Sequence, residues 1–366
     1  MSSGDRRTVL FVSVPTGVGG STRSLATVMA SLDGEARRVL AGPPIGRFVG
    51  LVDEQGSAEQ RLAIVDHRRS LRPLRRAWTS LRLAVWAVRH RKELAAIHAN
   101  GLKELSLALP AALLSRVRLV VWVHNFLLPP SVKLLGPVWR LLLPLCDTRW
   151  AAVSPLAADL AAGAGLVRRE RVEIVPNPID PGDVVAEERP DPDELVTVAY
   201  LGAPRAYKGF EYLPDIVARA PARWLVFSHA TDEDLAGTWE RLRALEAEGR
   251  LEIRGKLTDV RQAYAECDVV VCPSVRESFC RVAAEAMLNG LPVVGTDLEP
   301  IRDLLGDDEA GLVVPVGRPK AAAAAVSRLV ADAGLRARLG DAGRQRASAF
   351  APARVRDQLA ELYGLR

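Results

Sequence analysis

The densest run of chemistry-bearing residues is RGKLTDVRQAYAECDVVVCPSVRESFCRVAAEAMLNGLPVVGT, residues 254–296. An apolar run, VVVCPS, leads into a loop carrying Glu277. A helical pattern that begins near Ser278 to Cys280 then carries Glu285, so the two carboxylates, with seven residues between them, could face one crevice. Backbone N–H groups at a helix start suit a diphosphate, and each carboxylate can accept hydrogen bonds from the hydroxyls of a ribose or a sugar. Upstream, AYLGAPRAYKGFEYL sets Arg205 and Lys208 in a loop between a strand pattern and a helix pattern, where cations would neutralise the same phosphates. Taken singly, Glu277 reads as a helix N-terminal charge, Glu285 as a surface acid and Lys208 as a solvated lysine. Taken jointly, they favour an anion site.

Near the start, PTGVGGSTRSLATVMASL takes the chain from an apolar strand through a glycine turn straight into an amphipathic helix, a geometry that also suits an anion. Against a dinucleotide fingerprint, Gly17-x-Gly19-x-x-Thr22 lacks the third glycine. The second strand pattern ends at Ala41-Gly42-Pro43 without the acid that would hold a ribose 2′-hydroxyl, which counts against a nicotinamide oxidoreductase. No G-x-x-x-x-G-K-[ST] occurs, because Lys256 is followed by Leu257, so a P-loop is excluded. The cysteines (Cys146, Cys267, Cys272, Cys280) form no C-x-x-C pair, which argues against structural zinc and thioredoxin chemistry. Asp191-Pro192-Asp193 mimics a metal-binding D-x-D but reads as a solvated acidic turn. His124 with Asn125, and His98 with Asn100, stand at strand ends, where they could contact a ligand or satisfy local backbone groups.

Positioning such groups requires repeated β-α units. Strand patterns cover Val9–Val14, Arg38–Leu40, Leu94–His98, Leu119–His124 and Ala151–Val153, then Val196–Leu201, Trp224–Phe227, Leu251–Arg254, Val269–Cys272 and Pro292–Gly295, with longer helical patterns between. The class is α/β with two parallel sheets. The length of 366 residues fits two domains. The Pro- and acid-rich stretch Pro176–Leu195 has no period and reads as a linker, with the boundary near Asp180. Arg6 and Arg7 precede an apolar run too short for a signal sequence or a span, so a cytoplasmic location is expected. Net charge is +5, but residues 66–92 hold nine Arg/Lys against one acid, pointing to phosphates, an anionic membrane or an acidic substrate. Within that segment Leu74, Trp78, Leu81, Val85 and Val88 form one helical stripe expected to pack on the sheet.

With these residues in place, the chain resembles family 4 of the glycosyltransferases, the "group 1" retaining enzymes of GT-B fold. GVGGSTR, IHANG, VWVHNF, VSPLAADLAAGAGLVRRERVEIVPNPID, LGAPRAYKG, ESFCRVAAEAM, GLPVVGTD and EAGLVVPVGRP occur in family order, and the Glu-x7-Glu block followed by G-x-P-V-V is the specific part. The resemblance implies two Rossmann-like domains facing across a cleft: residues 1–180 with a C-terminal helix from 346–366 packed back on them for the acceptor, and 181–345 for the nucleotide sugar, UDP- or GDP-linked. It implies that Glu285 binds the ribose and Glu277 the donor sugar, that the amides of Phe279, Cys280, Arg281 and Val282 hold sugar and diphosphate, and that Leu257 belongs to the donor-binding set. It further implies that Arg205 and Lys208 stabilise the leaving diphosphate, that Gly19 and Gly20 border it, and that His124 contacts the sugar. No metal and no cofactor beyond the substrate are then required, and no nucleic-acid partner is expected.

Three positions depart from the family pattern: Cys280 replaces a glycine, Ala203 stands where the phosphate-binding arginine is usual, with Arg205 as substitute, and Leu298-Glu299-Pro300 replaces a glycine pair. The expected activity is retaining transfer of a hexose to a hydroxyl acceptor, lipid-linked or small, in envelope polysaccharide, glycolipid or natural-product glycosylation. Alternatives are a nucleotide-sugar-binding protein that has lost turnover and an epimerase or hydrolase on the same fold. The basic segment, with the proline-interrupted apolar stretch Phe126–Leu145, suggests peripheral contact with an anionic membrane.

Overall fold

The computed structural model describes residues 6–15, 19–43, 46–63, 72–180, 195–228, 235–255, 257 and 259–366, with backbone alone for 72–74. Gly17, Arg68, Arg69, Lys256 and Asp191 to Asp193 lie outside the described residues, and the side chains of Arg72 and Leu74 do as well.

The chain forms two compact units, residues 1–178 with 352–366, and residues 179–351. In the first, β1 (Thr8–Val12), β2 (Arg37–Gly42), β3 (Gln60–Ala63), β4 (Leu94–Ala99), β5 (Arg118–Val123), β6 (Thr148–Ala152) and β7 (Val172–Ile174) make a sheet of order β3-β2-β1-β4-β5-β6-β7. All its pairings are parallel, and Phe11 of β1 lies opposite Leu40 on one side and His98 on the other. In the second unit, β8 (Thr197–Leu201), β9 (Arg223–Phe227), β10 (Leu251–Ile253), β11 (Val269–Cys272), β12 (Val293–Thr296) and β13 (Gly311–Val314) run in the order β10-β9-β8-β11-β12-β13, again all parallel. Central strands such as TVLFV and VVVC are buried along their whole length, as sheets covered on both faces require. Strand order reverses between β1 and β4 in one sheet and between β8 and β11 in the other, and the carboxyl ends of strands at such switch points are where ligands bind in open α/β sheets.

Three strands, β3, β7 and β13, were absent from the sequence pattern. All are short edge strands; QRLA and VEI are partly exposed and lack an apolar run. The C-terminal element also differs from the expected 346–366. Helix Ala333–Ala347 ends inside the second unit, where the Ile179 amide donates to the Phe350 carbonyl at 2.9 Å. A new helix then starts at Pro352, a residue suited to a helix N-terminus, and runs to Tyr363 against helix Gly20–Ser31 of the first unit.

The largest correction concerns helix Arg72–Arg89. Its apolar stripe does not pack on the sheet: Trp78 is 62% exposed, Leu81 51%, Val85 41% and Val88 38%. The buried face is Thr79, Ser80, Leu83, Ala84 and Ala87, set against helix Leu105–Ser115, which itself covers β4 and β5. Small residues at 80, 84 and 87 let two helices approach closely, and that approach outweighs burial of the bulkier stripe.

Candidate functional site

In the second unit, the loops after β8 and β11 meet. Gly209 has φ +67°, and a Cβ there would collide with the Pro273 carbonyl oxygen. Tyr207 O accepts from the amides of Val275 and Arg276 at 2.8 and 3.1 Å, and the Thr296 hydroxyl donates to Ser274 O at 2.6 Å. This frame brings Lys208 Nζ within 2.5 Å of Glu277 Oε1, to which the Ser274 hydroxyl also donates at 3.0 Å. Both bonds fall on Oε1. Burial opposes the Lys208 charge, but the Glu277 carboxylate raises the pKa on balance, so the lysine stays cationic. Arg205 is exposed immediately before the Ala206–Lys208 turn.

Glu285 sits one helix away, buried to 3% exposure. Its Oε1 accepts from Arg281 Nε at 2.6 Å and its Oε2 from the Tyr264 hydroxyl at 2.7 Å. The helix Arg281–Leu288 is entered through Cys280, whose φ of 65° is left-handed, the conformation in which glycine is at ease. A hydrogen bond with Cys272, together with burial, holds the Cys280 thiol well above its ordinary pKa, so it stays protonated. Phe279 packs edge-on against Phe350 at 5.5 Å; Val282 and Leu257 are half-buried.

In the first unit, the turn after β4 and the ends of β1 and β5 enclose a cavity of about 130 Å³ lined by Ser13, Thr22, Asn100, Glu104, His124 and Asn125 among others. Gly19 and Gly20 are exposed at the helix start, and a Cβ on Gly19 would meet nothing. Thr22 closes that turn, its Oγ1 accepting from the Gly19 amide at 2.8 Å. Neither ring nitrogen of His124 has a hydrogen-bond partner; burial, aided by His98, lowers its pKa to about 3 despite Asn177. His98 is structural, bonded through Nδ1 to the Tyr363 hydroxyl at 2.8 Å and wedged among the rings of Phe11, Trp122 and Tyr363.

Glu104 was not among the residues singled out from sequence. Its Oε1 accepts from the Val14 amide at 3.3 Å and lies 3.6 Å from Lys103 Nζ, while Oε2 is buried without a partner. Burial pushes its pKa up to about 7, with Lys103 pulling the other way. The Asn100 Oδ1 is unpartnered in the same cavity. Tyr264 and Ser274 were also missed. Glu104 and Tyr264 meet their partners Val14 and Glu285 only through the fold, 90 and 21 positions away along the chain, and Ser274, three residues before Glu277, reads in sequence as an ordinary loop serine. Among the described residues, no group of three His, Cys, Asp or Glu could hold a metal ion, and no helix is long and apolar enough to cross a membrane.

Two doubly wound sheets, each with a polar cluster at its switch point, define the two-domain α/β architecture known as GT-B. The model "Glycosyltransferase Family 4" matches residues 16–183 and "Glycosyl transferases group 1" matches residues 193–332, and the chain belongs to this group 1, family 4 of glycosyltransferases. Among its relatives are a lipopolysaccharide core biosynthesis glycosyltransferase, LpsE, of Rhizobium meliloti, 31% identical over 182 residues (48% of this chain, 53% of the relative). A phosphatidyl-myo-inositol mannosyltransferase of Mycobacterium tuberculosis is 36% identical over 165 residues, 42% of each chain. The chain thus spans about half the length of the curated relatives it matches. Anabaena Alr3699/HepE, crystallised with UDP and glucose, superposes with a TM-score of 0.81 at 22% identity, over 97% of this chain and 99% of that one.

Proposed function

We propose that this protein is a retaining glycosyltransferase that moves a hexose from a nucleotide-diphosphate sugar to a hydroxyl acceptor without a metal ion. The observation that carries the reading is the Lys208–Glu277–Ser274 cluster at the β8/β11 switch point of a chain in this family. Glu277 is oriented through Oε1, which leaves Oε2 to accept from a donor-sugar hydroxyl. Lys208 and Arg205 stabilise the diphosphate as negative charge develops on it. Glu285 takes ribose hydroxyls, and the amides at Phe279 to Val282 take the sugar and phosphates. In the first unit Glu104 Oε2, which carries the carboxyl proton below about pH 7, and Asn100 Oδ1 are unpartnered polar atoms; the hydroxyls of a neutral polyol, which both donate and accept, can satisfy them, and His124 contacts the sugar. In the transfer, the anomeric carbon–phosphate oxygen bond breaks, a bond to the acceptor oxygen forms on the same face, and the acceptor proton passes to the departing diphosphate. Incubation with radiolabelled UDP- and GDP-hexoses, with and without a cell-envelope lipid extract, should show extract-dependent label transfer that survives EDTA. Nucleotide release without transfer would favour a hydrolase, and no release with either donor would overturn the reading.

The exposed stripe of helix Arg72–Arg89 favours an acceptor held at a membrane surface. Arg75, Arg82 and Arg89 follow its period, and helix Pro130–Leu142 exposes Leu134 at 79% and Leu141 at 76%. Arginines near an anionic leaflet contribute about 1 kcal/mol each, enough in combination for salt-sensitive peripheral attachment.

A further inference from the structure

At the amino-terminal ends of β1, β4, β5 and β6, on the sheet edge opposite the cavity that holds His124, the first unit has a second cavity of about 530 Å³. Five cations line it, Arg7, Arg91, Lys92, Arg116 and Arg118, against one acid, Asp147. The acid is already neutralised: its Oδ2 accepts from Arg118 Nε at 2.8 Å, and its Oδ1 lies 3.3 Å from Arg149 Nε. Arg118 also donates to Leu362 O at 3.3 Å, and Arg7 to Leu94 O at 2.7 Å. Arg91, Lys92 and Arg116, by contrast, make no side-chain hydrogen bond or ion pair with the described residues. Arg116 moreover caps helix Leu105–Ser115 with φ 57°, a left-handed shape that glycine or asparagine adopts at less cost. A cation is therefore presented from a backbone position that local structure alone would give to a smaller residue.

We propose that this cavity is a second anion site, separate from the transfer site, that takes a phosphate-bearing ligand of headgroup size. Two guanidinium forks and an ammonium lining one cavity, with no counter-charge paired to them among the described residues, match the oxygens of a phosphate monoester or diphosphate, and a neutral sugar would leave those charges unanswered. The same chemistry is offered by a free phosphorylated metabolite and by the headgroup of an anionic lipid. Val88, the last exposed apolar residue of helix Arg72–Arg89, lies three positions before Arg91, so a lipid whose headgroup fills the cavity would find apolar side chains beside it. The site does not depend on the transferase reading.

The test is calorimetric titration of inorganic pyrophosphate into the full chain with excess UDP present, repeated on Arg91→Ser/Lys92→Ser/Arg116→Gly, in which glycine suits the left-handed backbone. Pyrophosphate binding that falls tenfold or more in the variant supports the site with a soluble ligand. A second arm uses phosphatidylcholine vesicles containing phosphatidic acid. Co-sedimentation lost in the variant, whose Arg75, Arg82 and Arg89 are intact, supports the site with a headgroup ligand. Should the triple variant fold poorly by circular dichroism, Arg91→Ser/Lys92→Ser alone, both exposed in a turn, serves in both arms. Absence of binding to either probe, or binding undiminished in the variants, overturns the proposal.

Discussion

Glu285 and Glu277 have the same residue type and different environments, so their substitutions should behave differently. Glu285→Ala removes the carboxylate partner of Arg281 and of the Tyr264 hydroxyl in a buried site, a loss of about 3 kcal/mol. Its thermal midpoint should fall, whereas Glu285→Gln, which can still accept from Arg281, should stay near wild type. Nucleotide affinity is therefore measured on Glu285→Gln, expected to be reduced about tenfold, as for one lost charge-assisted hydrogen bond. Glu104 offers a pH test. The folded chain holds its proton up to about pH 7, while the unfolded chain releases it near 4.5, so the folded state binds more protons in between and loses stability as pH rises from 4.5 to 7. Glu104→Gln escapes that loss. Its stability advantage should grow from near zero at pH 4.5 to at most about 3 kcal/mol at pH 8, read from urea unfolding of the first unit. His98 and His124, kept neutral by burial, act in the opposite direction but equally in both proteins. A constant difference across that range would contradict the environment assigned to Glu104. None of this was legible in Glu104 itself, which in sequence is one acid after a lysine. By contrast, Glu277, Glu285 and Lys208 could be picked out because the two glutamates, with seven residues between them, follow one strand pattern and Lys208 stands in the loop after another.

At the scale of the element, helix Arg72–Arg89 shows where periodicity misleads. Its stripe has the helical period, yet period alone does not say which face is buried; the competing face of Thr79, Ser80, Leu83, Ala84 and Ala87 took the interior. The result leaves Trp78 and Leu81 in solvent beside arginines. Trp78→Ser/Leu81→Ser should therefore leave the unfolding midpoint within about 0.5 kcal/mol of wild type, as for surface changes. The same variant should lower co-sedimentation with anionic vesicles at low salt. A marked destabilisation would mean that the stripe is packed, and unchanged sedimentation would remove this helix from any membrane contact. Cys280 is the other element-level surprise. A left-handed entry to helix Arg281–Leu288 is expected of glycine, and the side chain is accommodated by burial against Cys272.

At the scale of the whole chain, ten of the thirteen strands among the described residues could be located from short runs bounded by turns, nine of them interior strands of doubly covered sheets and one, β10, an edge strand. The edge strands β3 and β7 could not, since each is short, partly exposed and without an apolar run; β13, GLVV, is apolar and largely buried and was simply missed. Strand order was not readable from pattern either. It determines that the loops after β8 and β11 meet and that Lys208 reaches Glu277. The central claim is that this meeting point holds a nucleotide diphosphate through Lys208. Calorimetric titration of UDP and of GDP into wild type and Lys208→Gln, the glutamine still able to donate to Glu277, tests it most directly. The account predicts that wild type binds one of the two in the presence of EDTA and that Lys208→Gln binds it at least tenfold more weakly, a difference of about 1.4 kcal/mol or more. Failure of wild type to bind either nucleotide, or equal affinity in the variant, would contradict it.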